Sequence, residues 1–161
     1  RYAEDPVDYS VPAELVNGPG LVSVPACPLM HGTGCMTQLI ALSGGGCVVN
    51  IGSISASRAS GGGIAYSPSK AAAEMLTKVM ALELAGEGIR VNAVAPGVME
   101  TPMTETSRND PRRRDYLMQR IPLRRFGRPQ ELVGPVAFLA SPMASYVTGA
   151  TLAVDGGFLA M

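Results

Sequence analysis

Short apolar runs alternate with longer helix-forming segments from residue 47 to the end of the chain. The sequence predicts strands over residues 47–52, 89–94 and 150–154, with helices over about residues 67–85 and 129–140 between them. Such alternation folds as a parallel sheet with right-handed crossovers, because the chain returns to a parallel neighbour through a helix that packs on one face. The pattern therefore predicts an α/β fold built on a parallel sheet.

A hydroxyl, a phenol and an amine stand near the predicted carboxyl end of the first of these strands. Ser53 follows the apolar run 47–51, and the alanine-rich segment after Tyr66 predicts a helix. On that helix Tyr66 and Lys70 project from the same face, and the charge of Lys70 favours the phenolate form of Tyr66. Open α/β sheets bind their ligands at the carboxyl ends of strands. The three residues are therefore candidates for carbonyl or alcohol redox chemistry.

Two later motifs favour catalysis over a merely solvated helix face, on which this tyrosine–lysine spacing is also common. Residues 89–101 read Ile-Arg-Val-Asn-Ala-Val-Ala-Pro-Gly-Val-Met-Glu-Thr, and residues 146–157 read Tyr-Val-Thr-Gly-Ala-Thr-Leu-Ala-Val-Asp-Gly-Gly. Together with residues 53–70 they closely resemble the C-terminal half of the short-chain dehydrogenase/reductase family. The resemblance covers about residues 44–161 and implies a partial doubly wound parallel sheet, the C-terminal half of the fold only.

The resemblance implies a role for each candidate catalytic residue. Tyr66 is expected to be the general acid/base that exchanges the hydroxyl proton, and Lys70 to assist its ionisation and bind the nicotinamide ribose. Ser53 is expected to hold and polarise the substrate oxygen. The family's usual spacing of thirteen residues between serine and tyrosine fits Ser53, but not Ser55 or Ser57.

The resemblance also implies a cofactor and a set of residues that contact it. The family's Pro-Gly-x-Ile-x-Thr segment falls on Pro96, Gly97, Met99 and Thr101, whose backbone and threonine hydroxyl would contact the nicotinamide carboxamide. Met99 replaces the usual isoleucine, a change that conserves volume. The implied cofactor is NAD or NADP, the implied substrate is a small-molecule alcohol or ketone, and the implied assembly is a homo-oligomer.

Composition restricts the partners and the location of the chain. Its 161 residues include 13 basic and 13 acidic residues, so the charge balance points neither to nucleic acid nor to an anionic membrane. No apolar run approaches the roughly 20 residues that cross a bilayer. The three cysteines, Cys27, Cys35 and Cys47, lack metal-binding spacing and His31 is the single histidine. No metal site is predicted, and reduced thiols in a cytoplasmic protein fit best.

The first 46 residues do not follow the dehydrogenase pattern. Residues 21–46 resemble an internal piece of the adenylate-forming acyl-CoA synthetases, through Pro-Leu-Met-His-Gly-Thr-Gly at 28–34 and the glycines at 44–46. We therefore predict two parts, an unrelated synthetase-like segment over residues 1–46 and a dehydrogenase part over residues 47–161. The absence of an initiator methionine suggests that the chain is a fragment.

The dinucleotide-binding half of the family pattern has no counterpart in residues 1–46. The sequence Gly32-Thr33-Gly34 lacks the third glycine of the fingerprint, because Thr37 occupies that position, so the phosphate-binding loop is absent. The oxidoreductase activity is therefore predicted to be impaired. Two alternatives stay open, a non-catalytic folded remnant or interaction module, and a fragment of an acyl-CoA ligase. The substrate, the choice between NAD and NADP, and the oligomeric state are not set by the sequence.

Four further expectations concern the fold. Residues 21–24 are expected to form a short strand that covers the apolar edge of residues 47–51, unless another copy of the chain covers it. Residues 98–128, which are rich in proline, are expected to form a flexible segment over the active site. Pro135 is expected to kink its helix, and Asn92 to be a structural residue at a strand.

Overall fold

The computed structural model describes residues 22–23, 46–59 and 64–161. These residues contain the strands β1 (Val22–Ser23), β2 (Gly46–Ile51), β3 (Ile89–Pro96) and β4 (Thr151–Val154), and the helices α1 (Tyr66–Leu84), α2 (Glu105–Asn109), α3 (Pro111–Arg120) and α4 (Val133–Ala140). The strands form one parallel sheet in the order β1-β2-β3-β4. The predicted α/β fold, a partial doubly wound parallel sheet, is confirmed.

The two central strands, β2 and β3, are covered on both faces. Val48 of β2 packs in a cluster with Met80 of α1, and its neighbour Val49 packs in a second cluster with Leu139 of α4. Successive side chains of a strand point to opposite faces, so α1 covers one face of the sheet and α4 the other. Burial on both faces explains why these strands are continuous apolar runs rather than alternating ones.

Strand β1 lies beside β2, as predicted for residues 21–24. Val22 pairs with Cys47 and Ser23 with Val48, both in parallel register. This pairing satisfies backbone groups at the start of an edge that would otherwise be open. The segment predicted to be synthetase-like lies outside the described residues as far as residue 45, except for β1.

Two helices, α2 and α3, lie within residues 98–128, where the sequence predicts a flexible segment. Pro102 begins a 3₁₀ turn and Pro111 is the first residue of α3, a position where the missing N–H of proline costs nothing. Asp110 caps α3 by accepting hydrogen bonds from the backbone N–H groups of Arg112 and Arg113. These prolines begin helices instead of interrupting them, so the segment contains helices that its proline content does not predict. Its flexibility stays a prediction.

Pro135 lies near the start of an α-helix. The helix predicted over residues 129–140 divides into a 3₁₀ turn, Pro129–Leu132, and the α-helix α4. Pro135 is the third residue of α4, in the first turn, where backbone N–H groups have no partner within the helix. The change of helix type comes before this proline, and the kink itself stays a prediction. Within the described residues no helix combines the length and the apolar character that a membrane crossing requires.

Asn92 joins β3 to the turn that precedes β4. Its side chain is fully buried, and its Nδ2 donates a hydrogen bond to the carbonyl oxygen of Val147 at 2.8 Å. Its Oδ1 accepts one from the backbone N–H of Ala150 at 3.0 Å. Both partners are backbone groups, in agreement with the structural role expected for this residue.

Replacing Asn92 by alanine is expected to lower the free energy of unfolding by about 2–4 kcal/mol, because a carbonyl and an amide would each lose a partner in the interior. Urea unfolding followed by circular dichroism measures the change. The matched control is Asn109→Ala at the exposed end of α2, for which a change below about 0.5 kcal/mol is expected. Equal stability losses in the two variants would contradict the assignment.

Candidate active site

The carboxyl ends of β2 and β3 lie side by side, because the strands are parallel neighbours with Ile51 opposite Val94. Ser53 follows β2 and is buried, with 7% of its surface exposed. Its Oγ accepts a hydrogen bond at 3.2 Å from the backbone N–H of Ser55 and so caps the short 3₁₀ turn that follows. This bond fixes the position of the serine oxygen without using its own proton.

Helix α1 begins at Tyr66 and brings the phenol and the Lys70 amine together. Lys70 Nζ lies 5.9 Å from the centroid of the Tyr66 ring, as residues one helical turn apart can do. The same nitrogen donates a hydrogen bond at 3.0 Å to the carbonyl oxygen of Ile51, the last residue of β2. An ammonium group has three protons, so Lys70 keeps two for other acceptors. The lysine is thus held at the strand end that leads into Ser53.

The phenol of Tyr66 can be reached from solvent, since 42% of the residue's surface is exposed. Helix α1 packs against the 3₁₀ turn Ile54–Ala56, which Ser53 caps. Ser53 and Tyr66 are therefore on elements that contact each other. The approach of their two hydroxyl groups to one another stays a prediction.

Gly97 lies where the end of β3 passes close to the residue that follows β4. Its backbone N–H donates to the carbonyl oxygen of Val154 at 2.9 Å. A Cβ atom at this position would stand 2.6 Å from the Cα atom of Asp155, which is backbone and has little room to move. Glycine is therefore required here by the packing of the two strand ends. This requirement exists whether or not the residue also contacts a cofactor.

Met99, predicted to contact the cofactor, has a buried side chain that packs on the segment after α3. Only 7% of its surface is exposed, and a Cβ at Gly127 would lie 2.5 Å from its sulfur. Glu100 N–H donates to Gly127 O at 2.7 Å, and Gly127 N–H donates to Val98 O at 3.0 Å. The Met99 side chain thus serves packing, and a cofactor would meet the backbone of this segment.

Thr101 is held by hydrogen bonds to residues further along the chain. Its backbone N–H donates to the hydroxyl of Thr104 at 3.3 Å, and its carbonyl oxygen accepts from the backbone N–H of Thr104 at 3.1 Å. Arg108 Nη2 also donates to that carbonyl at 3.2 Å. The end of the segment predicted to contact the nicotinamide is therefore tied directly to α2.

An ion pair stabilises the loop behind this segment. The Glu131 carboxylate accepts hydrogen bonds from Arg125 Nη1 at 2.7 Å and Nη2 at 2.6 Å, and from the backbone N–H of Arg128 at 2.7 Å. These donors favour the ionised form and lower the pKa of Glu131 to about 2. Arg125 and Glu131 line a small cavity of about 100 Å³ that Met99 and Asp155 also border.

This pair predicts a pH-dependent contribution to stability. A carboxyl whose pKa falls on folding stabilises the protein above its ordinary pKa of 4.5, and the stabilisation is lost as the pH falls towards about 2. We expect Glu131→Gln to be less stable than the unmodified chain at near-neutral pH, with the difference vanishing across that acidic window. Thermal unfolding at a series of pH values measures it, with Glu83→Gln on the exposed side of α1 as control. A difference independent of pH would contradict this account.

Glu74 is a residue near the site that the sequence patterns did not single out. Its Oε1 is buried and has no hydrogen-bond partner among the described residues. Burial raises the pKa of its carboxyl, and the charge of Lys78 opposes that effect. A Cβ built at Gly52, between Ile51 and Ser53, would lie 4.0 Å from Oε1. The only signal in the sequence is its position one helical turn beyond Lys70.

Cys47 is the one cysteine within the described residues, and it is a free, buried thiol. Its Sγ donates a hydrogen bond to the carbonyl oxygen of Ala140 at 3.3 Å, and burial raises the pKa of the thiol. It packs as a core residue of β2. No group of three potential metal ligands occurs in the described part of the chain.

Proteins of similar sequence are dehydrogenases and reductases. A family model described as enoyl-(acyl carrier protein) reductase matches residues 26–159. The chain is 43% identical over 130 residues to 2-(R)-hydroxypropyl-CoM dehydrogenase of Xanthobacter autotrophicus, covering 80% of this chain and 52% of that protein. It is 46% identical over 114 residues to the 3-oxoacyl-[acyl-carrier-protein] reductase of Thermotoga maritima, covering 71% of this chain and 46% of that protein.

Solved structures of similar fold include one with a bound nicotinamide cofactor. The structure of 4-hydroxyisoleucine dehydrogenase complexed with NADH superposes with a TM-score of 0.69 at 36% identity, covering 71% of this chain and 47% of that one. The chain spans about half the length of the curated relatives it matches. The family match begins at residue 26, well before the boundary near residue 44 that the motifs suggested.

Proposed function

The chain belongs to the short-chain dehydrogenase/reductase family, and on this premise we propose that it carries the catalytic half of an NAD(P)-dependent oxidoreductase that interconverts an alcohol and a carbonyl group. The observation that carries the proposal is the position of Lys70. Its amine donates a hydrogen bond to the carbonyl oxygen of Ile51, the last residue of β2, and lies beside the Tyr66 ring. An acid/base phenol and a fixed cation are thus combined at the end of a central parallel strand, where this fold binds its ligands.

In the proposed mechanism Tyr66 donates a proton to the carbonyl oxygen during reduction and accepts one during oxidation. Lys70 stabilises the negative charge that remains on the phenol, because its ammonium is close to the ring. Ser53 would orient the substrate oxygen through its fixed hydroxyl. Lys70 also fits a dinucleotide, since two of its protons remain for ribose hydroxyl groups. A bound nicotinamide supplies the hydride that moves to or from the substrate carbon.

The proposal includes impaired activity for the chain of residues 1–161. The sequence supplies residues for the nicotinamide side of the cofactor, in Lys70 and the segment Pro96, Gly97, Met99 and Thr101, but no glycine-rich turn for the pyrophosphate. One solved structure of similar fold contains NADH and another contains NADP, and nothing in the described residues favours one of these cofactors. The catalytic groups are therefore proposed to be intact while cofactor recruitment is weak.

A homo-oligomer is part of the proposal, through the outer face of α1. Met75, Val79 and Leu82 follow the i, i+4, i+7 spacing of one helix face and are 58%, 40% and 83% exposed. Exposed apolar stripes of this kind mark protein interfaces. A cytoplasmic location is proposed from the unpaired thiol of Cys47 and stays a prediction.

The division of the chain at residue 46 also stays a prediction. The family match from residue 26 overlaps the segment that resembles acyl-CoA synthetases. None of the relatives described above is a synthetase, and no geometric feature of the described residues favours a ligase or a purely structural role. The oxidoreductase is therefore the single function proposed.

The proposal is tested by the oxidation of NADPH and NADH, followed at their absorbance, with a panel of small ketones. Cofactor is supplied at millimolar concentration so that a weak complex still contributes signal. We expect slow, ketone-dependent oxidation of at least one cofactor. Absence of any ketone-dependent oxidation at millimolar cofactor, with the chain folded, would contradict a catalytic role.

A further inference from the structure

Basic residues are concentrated in the helical segment between β3 and α4. Residues 105–128 contain eight of the 13 basic residues of the chain but only three of its 13 acidic residues, a net charge of +5 in a chain whose total is zero. The remaining residues therefore carry a net charge of −5. Such an asymmetry creates a local positive potential that attracts anions. The basic residues of the segment are Arg108, Arg112, Arg113, Arg114, Arg120, Arg124, Arg125 and Arg128.

Three of these arginines line one open cleft of about 700 Å³ between α2, α3 and the turn that follows α3. The cleft is bordered by Arg108, Arg114 and Arg124, and by one carboxylate, Asp115. Its lining therefore carries a net charge of +2. The volume falls within the range of small-molecule sites.

Arg108 links the cleft to the proposed active site. Its Nε donates to the hydroxyl of Thr104 at 3.2 Å, and its Nη2 donates to the carbonyl oxygen of Thr101 at 3.2 Å. Thr101 ends the segment proposed to contact the nicotinamide. A ligand group bound by Arg108 would therefore lie one hydrogen bond away from the cofactor segment, with the guanidinium held in place before binding.

The other two arginines also offer donors to a ligand. One guanidinium is held in place by a hydrogen bond, and the other has no such bond within the described residues. Arg124 Nη1 donates to the carbonyl oxygen of Met118 at 3.0 Å, which holds this guanidinium at the cleft. Within the described residues the Arg114 side chain makes no hydrogen bond and no ion pair, although it borders the same cleft. A guanidinium has five N–H donors, so all three arginines keep donors for a ligand.

We propose that this cleft binds a phosphate group carried by the substrate, with the reacting carbonyl placed towards Tyr66. Arginine forks match the oxygen geometry of phosphate, and a lining of +2 balances the charge of a phosphate monoester. This inference rests on the proposed oxidoreductase function, because that function defines where the carbonyl lies.

Isothermal titration of the chain of residues 1–161, without nicotinamide, tests the cleft directly. Dihydroxyacetone phosphate is compared with dihydroxyacetone, and 4'-phosphopantetheine with pantetheine, so each phosphorylated probe differs from its partner only by the phosphate group. We expect binding by at least one phosphorylated probe and by neither phosphate-free partner. Arg114→Gln is expected to weaken that binding about ten- to hundredfold, because hydrogen bonds to a charged group are lost.

Arg112→Gln is the matched control, because it removes the same charge from the same helix at a residue that does not border the cleft. Its affinity for the probe is expected to change much less than that of Arg114→Gln. Arg124→Gln provides a second cleft variant, and circular dichroism checks that each variant is folded. Equal weakening by Arg112→Gln would overturn the proposal and would indicate general electrostatic attraction to the basic segment. A lack of binding by both phosphorylated probes would also overturn the proposal.

The two probe pairs separate the sources of the phosphate. Binding of 4'-phosphopantetheine alone supports a thioester substrate on a phosphorylated carrier, and binding of dihydroxyacetone phosphate supports a small phosphate ester. Because the titration contains no nicotinamide, its result is independent of the redox proposal. Ketone reduction without probe binding would overturn only the cleft assignment, and probe binding without ketone reduction would overturn only the oxidoreductase.

Discussion

Replacing Tyr66 by phenylalanine is expected to lower the rate of carbonyl reduction by about 10²- to 10⁴-fold, the usual contribution of a positioned general acid. The phenol is the one proton donor proposed at the reacting oxygen, and phenylalanine keeps the ring while removing the proton. The contact between Lys70 Nζ and the ring, 5.9 Å from its centroid, can persist in the variant. The loss is therefore expected in the chemical step and not in folding.

Single-turnover oxidation of NADPH, with the chain in excess over cofactor, measures this effect even where cofactor binds weakly. Tyr146→Phe is the matched control, because Tyr146 is fully exposed and lies in the turn before β4, outside the proposed site. The control is expected to keep the rate of the unmodified chain. If Tyr66→Phe and Tyr146→Phe react equally fast, the assignment of Tyr66 as the acid is wrong.

The second large effect concerns the cofactor. The chain of residues 1–161 is expected to bind NAD(P)H with a dissociation constant of ~1 mM, about a thousandfold weaker than a micromolar complex. This difference corresponds to a loss of about 4 kcal/mol of binding free energy, since each tenfold change in affinity is ~1.4 kcal/mol. Much of dinucleotide affinity comes from the pyrophosphate at a helix N-terminus and from contacts to the adenosine ribose, for which the sequence supplies no glycine-rich turn. Weak binding also slows the reaction, because hydride transfer needs the nicotinamide held in register with the substrate carbon.

Titration of NADH and NADPH fluorescence with the chain measures this affinity. Lys70→Met is expected to remove most of the remaining binding, because it deletes the cation proposed for the nicotinamide ribose. Lys78→Met, two turns further along the same helix and exposed, is expected to leave the affinity unchanged. A micromolar dissociation constant for the unmodified chain would contradict the prediction, and would imply that residues 1–46 or a second chain supply the missing contacts.

The main architecture could be predicted because it depends on local patterns. Apolar runs of strand length separated by helix-forming segments indicate a parallel sheet, and the run through Val48 and Val49 indicates a strand buried on both faces. The same patterns locate Ser53 after a strand and set Tyr66 and Lys70 one turn apart on a helix. The apolar edge of β2 also predicts a neighbouring strand, and β1 pairs with it.

The positions of prolines alone do not predict where helices lie. Pro111 and Pro135 both lie in the first turn of a helix, where no backbone donor is missed, so they are compatible with α3 and α4. Whether a proline begins a helix or breaks it depends on its distance from the cap. In residues 98–128 Asp110 supplies that cap, so Pro111 begins α3, a helix that the proline-rich sequence does not predict.

The sequence by itself determined the fold class and the residue types of the candidate catalytic group, because these follow from the lengths of apolar and helix-forming runs and from short spacings such as that of Tyr66 and Lys70. Only the tertiary structure decided which distant groups meet. Lys70 finds the carbonyl of Ile51, Gly97 is pressed against the backbone of Asp155, and Arg108 and Arg124 border one cleft. These contacts join residues 16 to 58 positions apart and arise when the sheet and its helices pack, so no local periodicity encodes them.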